Sequence, residues 1–281
     1  MFSAYGRLVL VLLVTFPLGR AHAHNEDHTA HAIPITGITI DGRLDDWPKQ
    51  MVVYSIDWVS PEYYKPEPPQ GPEDMTASFR VGYDAGDNVL YVAIVVRDDD
   101  WVIDSQKGSF TDQDLTEIYI DADHSGGDAA NMQMPGSKDA QQYVMVAGPS
   151  RLYGFGSVTN DFMLNAGDTR ASGVYAASLR VGQYTVYEWA IPLWSSFPDQ
   201  RYSIKPGAVI GFDAVVTDAD GDESGNWVAW TPGASKIANS DRLGNLVLVN
   251  NYDGLDMDLQ PTLPADLQIA YGALARISGR V

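Results

Sequence analysis

Three runs of carboxylates, each following a β-patterned segment, are where this sequence could do chemistry: Asp98-Asp-Asp100, Asp121-Ala-Asp-His-Ser-Gly-Gly-Asp128 and Asp218-Ala-Asp-Gly-Asp-Glu223. A hard cation such as calcium takes six to eight oxygens, and carboxylates together with loop carbonyls can supply them. Acids at alternate positions followed by glycines, as from Asp121 to Gly127, imitate the first half of a calcium-coordinating loop. The helix–loop–helix version of that loop is excluded, because the closing glutamate is missing and the run follows a strand. Aspartate and glycine also make good turns in their own right, the side chains capping backbone amides. The expectation taken forward is a structural calcium site drawing on Asp98, Asp121, Asp123 and Asp218, with simple turn-making as the alternative.

The same acids are expected to be poor catalysts. A glycosidase needs two carboxyl groups held about 5 to 10 Å apart across a cleft, which spacing along turns does not establish. Solvated turn aspartates also titrate too low to serve as general acids at neutral pH. No Gly-x-Ser-x-Gly elbow, His-Glu-x-x-His or phosphate-cradling loop is present, and the body of the chain holds one histidine, His124. The expected protein is therefore not an enzyme. Transition metals are disfavoured by the absence of cysteine and the shortage of histidine. One exception is raised by His24, which becomes the amino terminus if the chain is cut just before it and so invites comparison with copper enzymes that chelate metal through such a residue. That site needs a second fixed histidine, and His124 is the only one outside the His24–His31 leader; weak adventitious binding is the plainer reading.

Residues 1–23 have the form of a signal peptide: Arg7 before an apolar run from Leu8 to Leu18, then Ala21-His-Ala23 as a small-x-small cleavage site. The run is shorter than the roughly 20 apolar residues of a membrane span. An exported chain without membrane insertion is expected. Loss of Arg7 and Arg20 would take the net charge from −19 to −21, a surface that repels nucleic acid and anionic lipid.

The elements that must position the acids are short strands. Residues 24–32 read as a disordered His-rich leader, 33–250 as one β-sandwich and 251–281 as an irregular tail. Strands are expected at Ile33–Ile40, Ala77–Tyr83, Val89–Val96, Leu115–Ile120, Gln142–Ala147, Leu152–Val158, Val174–Val181, Tyr184–Ile191, Val209–Thr217, Trp227–Trp230 and Asn245–Val249. About ten such strands without intervening helices predict an all-β, antiparallel sandwich. Leu193–Phe197 reads as a short helical turn and the proline-rich Ser60–Asp74 as a long loop carrying Tyr63 and Tyr64, which could form a binding lip. Trp47 reads as a buried plug.

Six blocks in order, among them Ile40-Asp-Gly-Arg-Leu-Asp-Asp-Trp47, Asn88 to Asp98, Asp112-Gln-Asp-Leu-Thr-Glu-Ile-Tyr-Ile-Asp121, Tyr187-Glu-Trp-Ala-Ile-Pro192, Ile210 to Asp218 and Leu243 to Leu248, resemble a family nine carbohydrate-binding module, within the group of sandwiches that includes DOMON-type haem- and sugar-binding domains. The resemblance implies a calcium-containing sandwich that grips the end of a glycan between two tryptophans, with Glu117 and Gln142 as polar contacts and Asp98 near calcium. It also marks departures. Phe110 stands near the first stacking tryptophan, no aromatic stands near Ile237 where the second belongs, and Val144 replaces an arginine. Trp227 and Trp230 are read as facing the core from one side of their strand.

The expected function is thus non-catalytic binding of a polysaccharide or oligosaccharide, in aid of glycan degradation by a partner. One alternative is a haem or redox domain, for which Met132, Met134, Met145 and His124 are candidate axial ligands. Another is a scaffold or adhesion module that has lost its sugar pocket.

Overall fold

The computed structural model describes residues 24–64, 69–103, 112–127, 139–146, 173–220, 225–237 and 239–253. Fourteen strands lie within them: β1 (Asn25–Pro34), β2 (Tyr54–Ile56), β3 (Trp58–Tyr64), β4 (Met75–Asp84), β5 (Val89–Asp98), β6 (Leu115–Asp121) and β7 (Ala140–Val146), then β8 (Tyr175–Val181), β9 (Tyr184–Pro192), β10 (Trp194–Ser196), β11 (Gln200–Arg201), β12 (Val209–Asp218), β13 (Asn226–Ala229) and β14 (Gly244–Leu248). Two 3₁₀ turns, Ala234–Ile237 and Ser240–Arg242, join β13 to β14.

The first layer is built on β12. One edge of β12 pairs with β6, which pairs with β7; the other is shared by β14 toward its start and β13 toward its end, and β3 pairs with β13. The second layer runs β8-β9-β5-β4, with β2 on the far edge of β4. Alternate residues of both layers meet between them: Ile94 and Trp189 from one side, Ile118, Phe212 and Leu246 from the other are fully buried in one cluster. The expected all-β sandwich is therefore present.

The leader is the main correction. Residues 25–34, expected to be disordered up to residue 32 and to enter a strand only at Ile33, form β1, which pairs in parallel with β14 and then, at Ile33 and Pro34, in parallel with β4. β1 thus stitches the two layers together. Its polar side chains carry little β signal; the strand is specified by backbone pairing and by Ala30 and Ala32, which are small enough to lie wholly in the core. The sheets are accordingly antiparallel apart from β1. Two smaller corrections follow the same logic of pairing over local composition. Leu193–Phe197 is not helical, since Trp194–Ser196 pairs with Gln200–Arg201. The proline-rich segment is strand as far as Tyr64, because Tyr64 pairs with Asn226 across to β13. The expected strand at 152–158, and the tail from residue 254 onward, lie outside the described residues.

The outer face of the second layer is covered by residues 35–51. Ile35, Ile40, Leu44, Trp47 and Met51 pack on Tyr91, Ala93, Val95 and Val186, so Trp47 is the buried plug expected. A single carboxylate, Glu188 of β9, holds this cover. Its Oε2 accepts the backbone N–H groups of Asp41 (2.9 Å), Gly42 (2.6 Å) and Arg43 (3.0 Å), and its Oε1 accepts the indole N–H of Trp47 at 2.6 Å. Gly42 makes this possible, with φ +81° and no room for a Cβ, which would stand 2.6 Å from that of Leu179. Burial pushes the Glu188 carboxyl up to about 7 even against its four donors. Replacing Glu188 with alanine orphans all four donors, and the expected loss is about 3 kcal/mol or more in chemical denaturation. A loss under about 1 kcal/mol would show that the clamp contributes little.

Candidate functional site

Two of the four expected metal ligands are brought together at one end of the sandwich. β5 ends at Asp98 and β12 at Asp218, while Asp114 immediately precedes β6; antiparallel pairing of Leu115 with Thr217 sets Asp114 beside Asp218. Asp98, Asp114 and Asp218 are all buried. The carboxyls of Asp98 and Asp114 stand close enough to perturb each other. Asp114 also accepts the backbone N–H groups of Val102 (3.0 Å) and Ala219 (3.1 Å), and Asp98 that of Asp100 (2.9 Å). The nearest cation, Arg180, stands 3.9 Å from Asp98 Oδ2 and is committed to the carbonyls of Asp98 and Asp100. Burial and mutual repulsion push Asp98 up to about 8, and burial chiefly pushes Asp114 and Asp218 up to about 7 each.

These aspartates are therefore not the solvated, low-titrating turn residues expected from sequence. They sit at strand ends, where the sheet excludes water. Asp218 Oδ1 and Asn226 Oδ1 are buried without a hydrogen-bond partner, and Asp74, Asp99 and Asp220 offer oxygens that all lie within 4.8 Å of one another. A set of oxygen donors with surplus negative charge and orphaned acceptors suits a hard cation such as calcium. Asp114 was missed because it reads as part of the strand's polar flank, and Asp74 because it lies in the proline-rich segment.

The expected polar sugar contacts, Glu117 and Gln142, do meet. Both project from the outer face of the first layer, since their neighbours Ile118 and Tyr143 point into the core. Glu117 Oε2 accepts the Tyr119 hydroxyl (2.5 Å) and the Gln142 amide, and its Oε1 accepts the Trp227 indole N–H at 3.1 Å. Only 1% of Glu117 is exposed, and burial raises its carboxyl above the usual range. Gln142 Oε1 remains without a partner. Lys236, missed by sequence reading, lies beside this network: its Nζ donates to Asp213 and Thr231 and stands 5.2 Å from the Trp227 ring and 5.7 Å from that of Trp58. The two indoles meet edge to face at 6.3 Å.

Trp227 and Trp230 do not share a face. Three residues apart on an extended chain they point to opposite sides, so Trp230 enters the core and Trp227 the outer network. Tyr63 and Tyr64 belong to a strand rather than a loop, their side chains lying outside the description, as do Phe110, Met132 and Met134. Met145 is buried in the core. Asp121 and Asp123 are not with Asp98 and Asp218. They stand at the other end of β6, about 20 Å along the strand, where Asp121 is buried and accepts the backbone N–H groups of Ser125 and Gly126 while Asp123 is exposed.

Comparison with known proteins agrees with this architecture. The family model described as "Carbohydrate family 9 binding domain-like" matches residues 40–251. Among solved structures, a carbohydrate binding module family 9 from Caldicellulosiruptor kristjanssonii in complex with glucose is 19% identical, with a TM-score of 0.58 over 82% of this chain and all of that one. The same organism's module in complex with cellotriose is 19% identical, with a TM-score of 0.55 over 83% of this chain and all of that one. A putative carbohydrate-binding protein from Bacteroides uniformis is 14% identical, with a TM-score of 0.50 over 78% of this chain and 98% of that one. No curated protein sequence matches. With the family model covering most of its length, the chain belongs to the carbohydrate family 9 binding domain-like family.

Proposed function

We propose that the protein is an exported, non-catalytic module that binds the end of a glycan on the outer face of its first layer and carries a structural calcium ion at the Asp98–Asp114–Asp218 end. The observation that carries the glycan reading is the Glu117–Gln142 pair. It lies on one sheet face beside Trp227, with a buried Gln142 oxygen still lacking a donor, and a sugar hydroxyl is a suitable donor. Trp227 is itself buried, with the Lys236 ammonium 5.2 Å from its ring, so the apolar stacking face that a pyranose needs is assigned to Phe110. The relatives in complex with glucose and cellotriose make gluco-configured chains the first ligands to try. Export is supported by the pattern of residues 1–23. A role in polysaccharide breakdown would be to hold substrate for a partner enzyme.

The absence of catalysis is supported by the site itself. Asp98 and Asp114, buried carboxyls with raised pKa values, act on each other directly and are held by backbone amides, an arrangement suited to holding a cation rather than to the separated acid and base of a glycosidase. One observation favours a scaffold module instead: every Glu117 oxygen is already occupied by a protein donor. The two readings separate in calorimetric titration with cello- and xylo-oligosaccharides followed by a glycan array. Binding that weakens about tenfold or more in Glu117→Ala, Gln142→Ala or Phe110→Ala supports the glycan site, and no binding across the array leaves the scaffold.

Calcium is tested by thermal unfolding. Unfolded aspartates titrate near 4, whereas in the cation-free fold Asp98, Asp114 and Asp218 titrate near 8, 7 and 7. The folded state therefore holds more protons across that window, and its stability falls as pH rises through it. A bound cation relieves the repulsion, so saturating calcium should raise Tm by about 5 °C or more at pH 8 and by clearly less at pH 5.5. Asp218→Asn should reduce the gain. An identical Tm with calcium and with EDTA at pH 8 would remove calcium from the account.

A further inference from the structure

At the end of β6 remote from the carboxylate cluster, His24, Asp121 and His124 meet in an arrangement that glycan binding leaves unused. The His24 side chain is completely buried. Its Nδ1 lies 2.8 Å from the carbonyl oxygen of Ser240, which can only accept, so Nδ1 bears the proton and Nε2 the lone pair. That Nε2 has no hydrogen-bond partner and faces Asp121 Oδ2 at 3.4 Å. The ring of His124 stands edge-on to that of His24, with centroids 3.9 Å apart and planes at 86°. His124 Nε2 lies 2.8 Å from Asn245 Oδ1, which makes it a donor and leaves Nδ1 as the lone-pair nitrogen. The seat for His24 requires a glycine: a Cβ on Gly211 would come within 2.6 Å of Nε2.

Two buried lone-pair atoms facing each other repel unless something positive lies between them. A proton is the simplest occupant, but the 3.4 Å separation is longer than the roughly 2.7–3.2 Å of an ordinary N–H···O hydrogen bond. A metal ion fits better on geometry. Two ligands bound at about 2.0–2.2 Å in tetrahedral arrangement stand roughly 3.4 Å apart, which is the separation of His24 Nε2 and Asp121 Oδ2. Metal-bound histidines characteristically donate the second ring N–H to a carbonyl or carboxylate oxygen, as His24 does here to Ser240.

We infer that His24 Nε2 and Asp121 Oδ2, joined by His124 Nδ1 after rotation of that side chain, hold a divalent transition-metal ion of the zinc or copper type. The second fixed histidine whose absence counted against such a site in the sequence is supplied by the fold, through β1 and the turn after β6. The ion ties the start of β1 to that turn and is independent of the calcium cluster and of sugar.

The test uses the purified protein, stripped with chelator and resupplied with saturating calcium, then titrated calorimetrically with Zn²⁺ and with Cu²⁺. One ion per chain is expected, with affinity falling about tenfold or more in both His24→Gln and His124→Gln and nearly unchanged in the double variant His28→Gln, His31→Gln. Because His24→Gln alters a buried residue, the part-exposed His124→Gln serves as the second variant, with circular dichroism confirming its fold. Electron paramagnetic resonance of the Cu²⁺ form should show two imidazole nitrogens in the natural protein and one in His124→Gln. Binding that survives both single variants, or that disappears only in the His28/His31 variant, means adventitious binding by the leader and overturns the inference.

Discussion

Taking an ionised carboxylate out of water costs several kcal/mol unless donors or a countercharge replace its lost hydration, and this sandwich repeatedly buries acids. Glu188 is met by three amides and an indole, and in return fastens the 35–51 cover to the second layer. Asp213 is met by Lys236 and Thr231, which anchors the loop between β13 and β14. Glu117 is met by a phenol, a carboxamide and an indole. At Asp98, Asp114 and Asp218 the donors run out, and the remaining need is for a cation.

The arrangement separates three tasks along β6 and its neighbours. Its start carries the carboxylate cluster proposed to hold calcium, its outward face the polar network proposed to meet sugar, and its end the His24–Asp121–His124 group. This division follows from period-two alternation and pairing register: Leu115 opposite Thr217 fixes one end, Asp121 opposite Gly211 the other. Lys236 links the middle to its surroundings by standing over both Trp58 and Trp227, where it contributes positive charge close to Glu117. Burial lowers the pKa of that lysine while Asp213 opposes the shift.

Much of the fold was legible because short apolar runs rich in β-branched residues and bounded by turn residues, such as Leu90–Val96 and Ile210–Val216, read as strands. The strand that joins the layers was not, since Asn25 to His31 carries no apolar alternation and is fixed by β14 and β4 instead. Of the site, Glu117 beside Gln142 and Asp98 beside Asp218 were readable as residues. What local chemistry could not reveal was which acids share an end of the sandwich: Asp121 and Asp123 look like Asp98 and Asp218 in composition, but six residues of extended chain lie between Asp114 and Asp121. Asp114 and Lys236 have ordinary sequence surroundings and gain their roles from partners more than 20 positions away. Trp227 and Trp230, an odd number of positions apart on extended chain, serve opposite faces.

The central claim is that Asp98, Asp114 and Asp218 share protons in the cation-free protein because Arg180, at 3.9 Å from Asp98, does not offset three buried carboxylates, and that a calcium ion replaces those protons. Calcium titration at pH 7 by calorimetry, repeated in buffers of different ionisation enthalpy, measures this directly. The account predicts that binding releases about one proton or more per ion, with the release shrinking as pH rises above 8. Calcium binding with no proton release at pH 7, or no calcium binding at all, would contradict it.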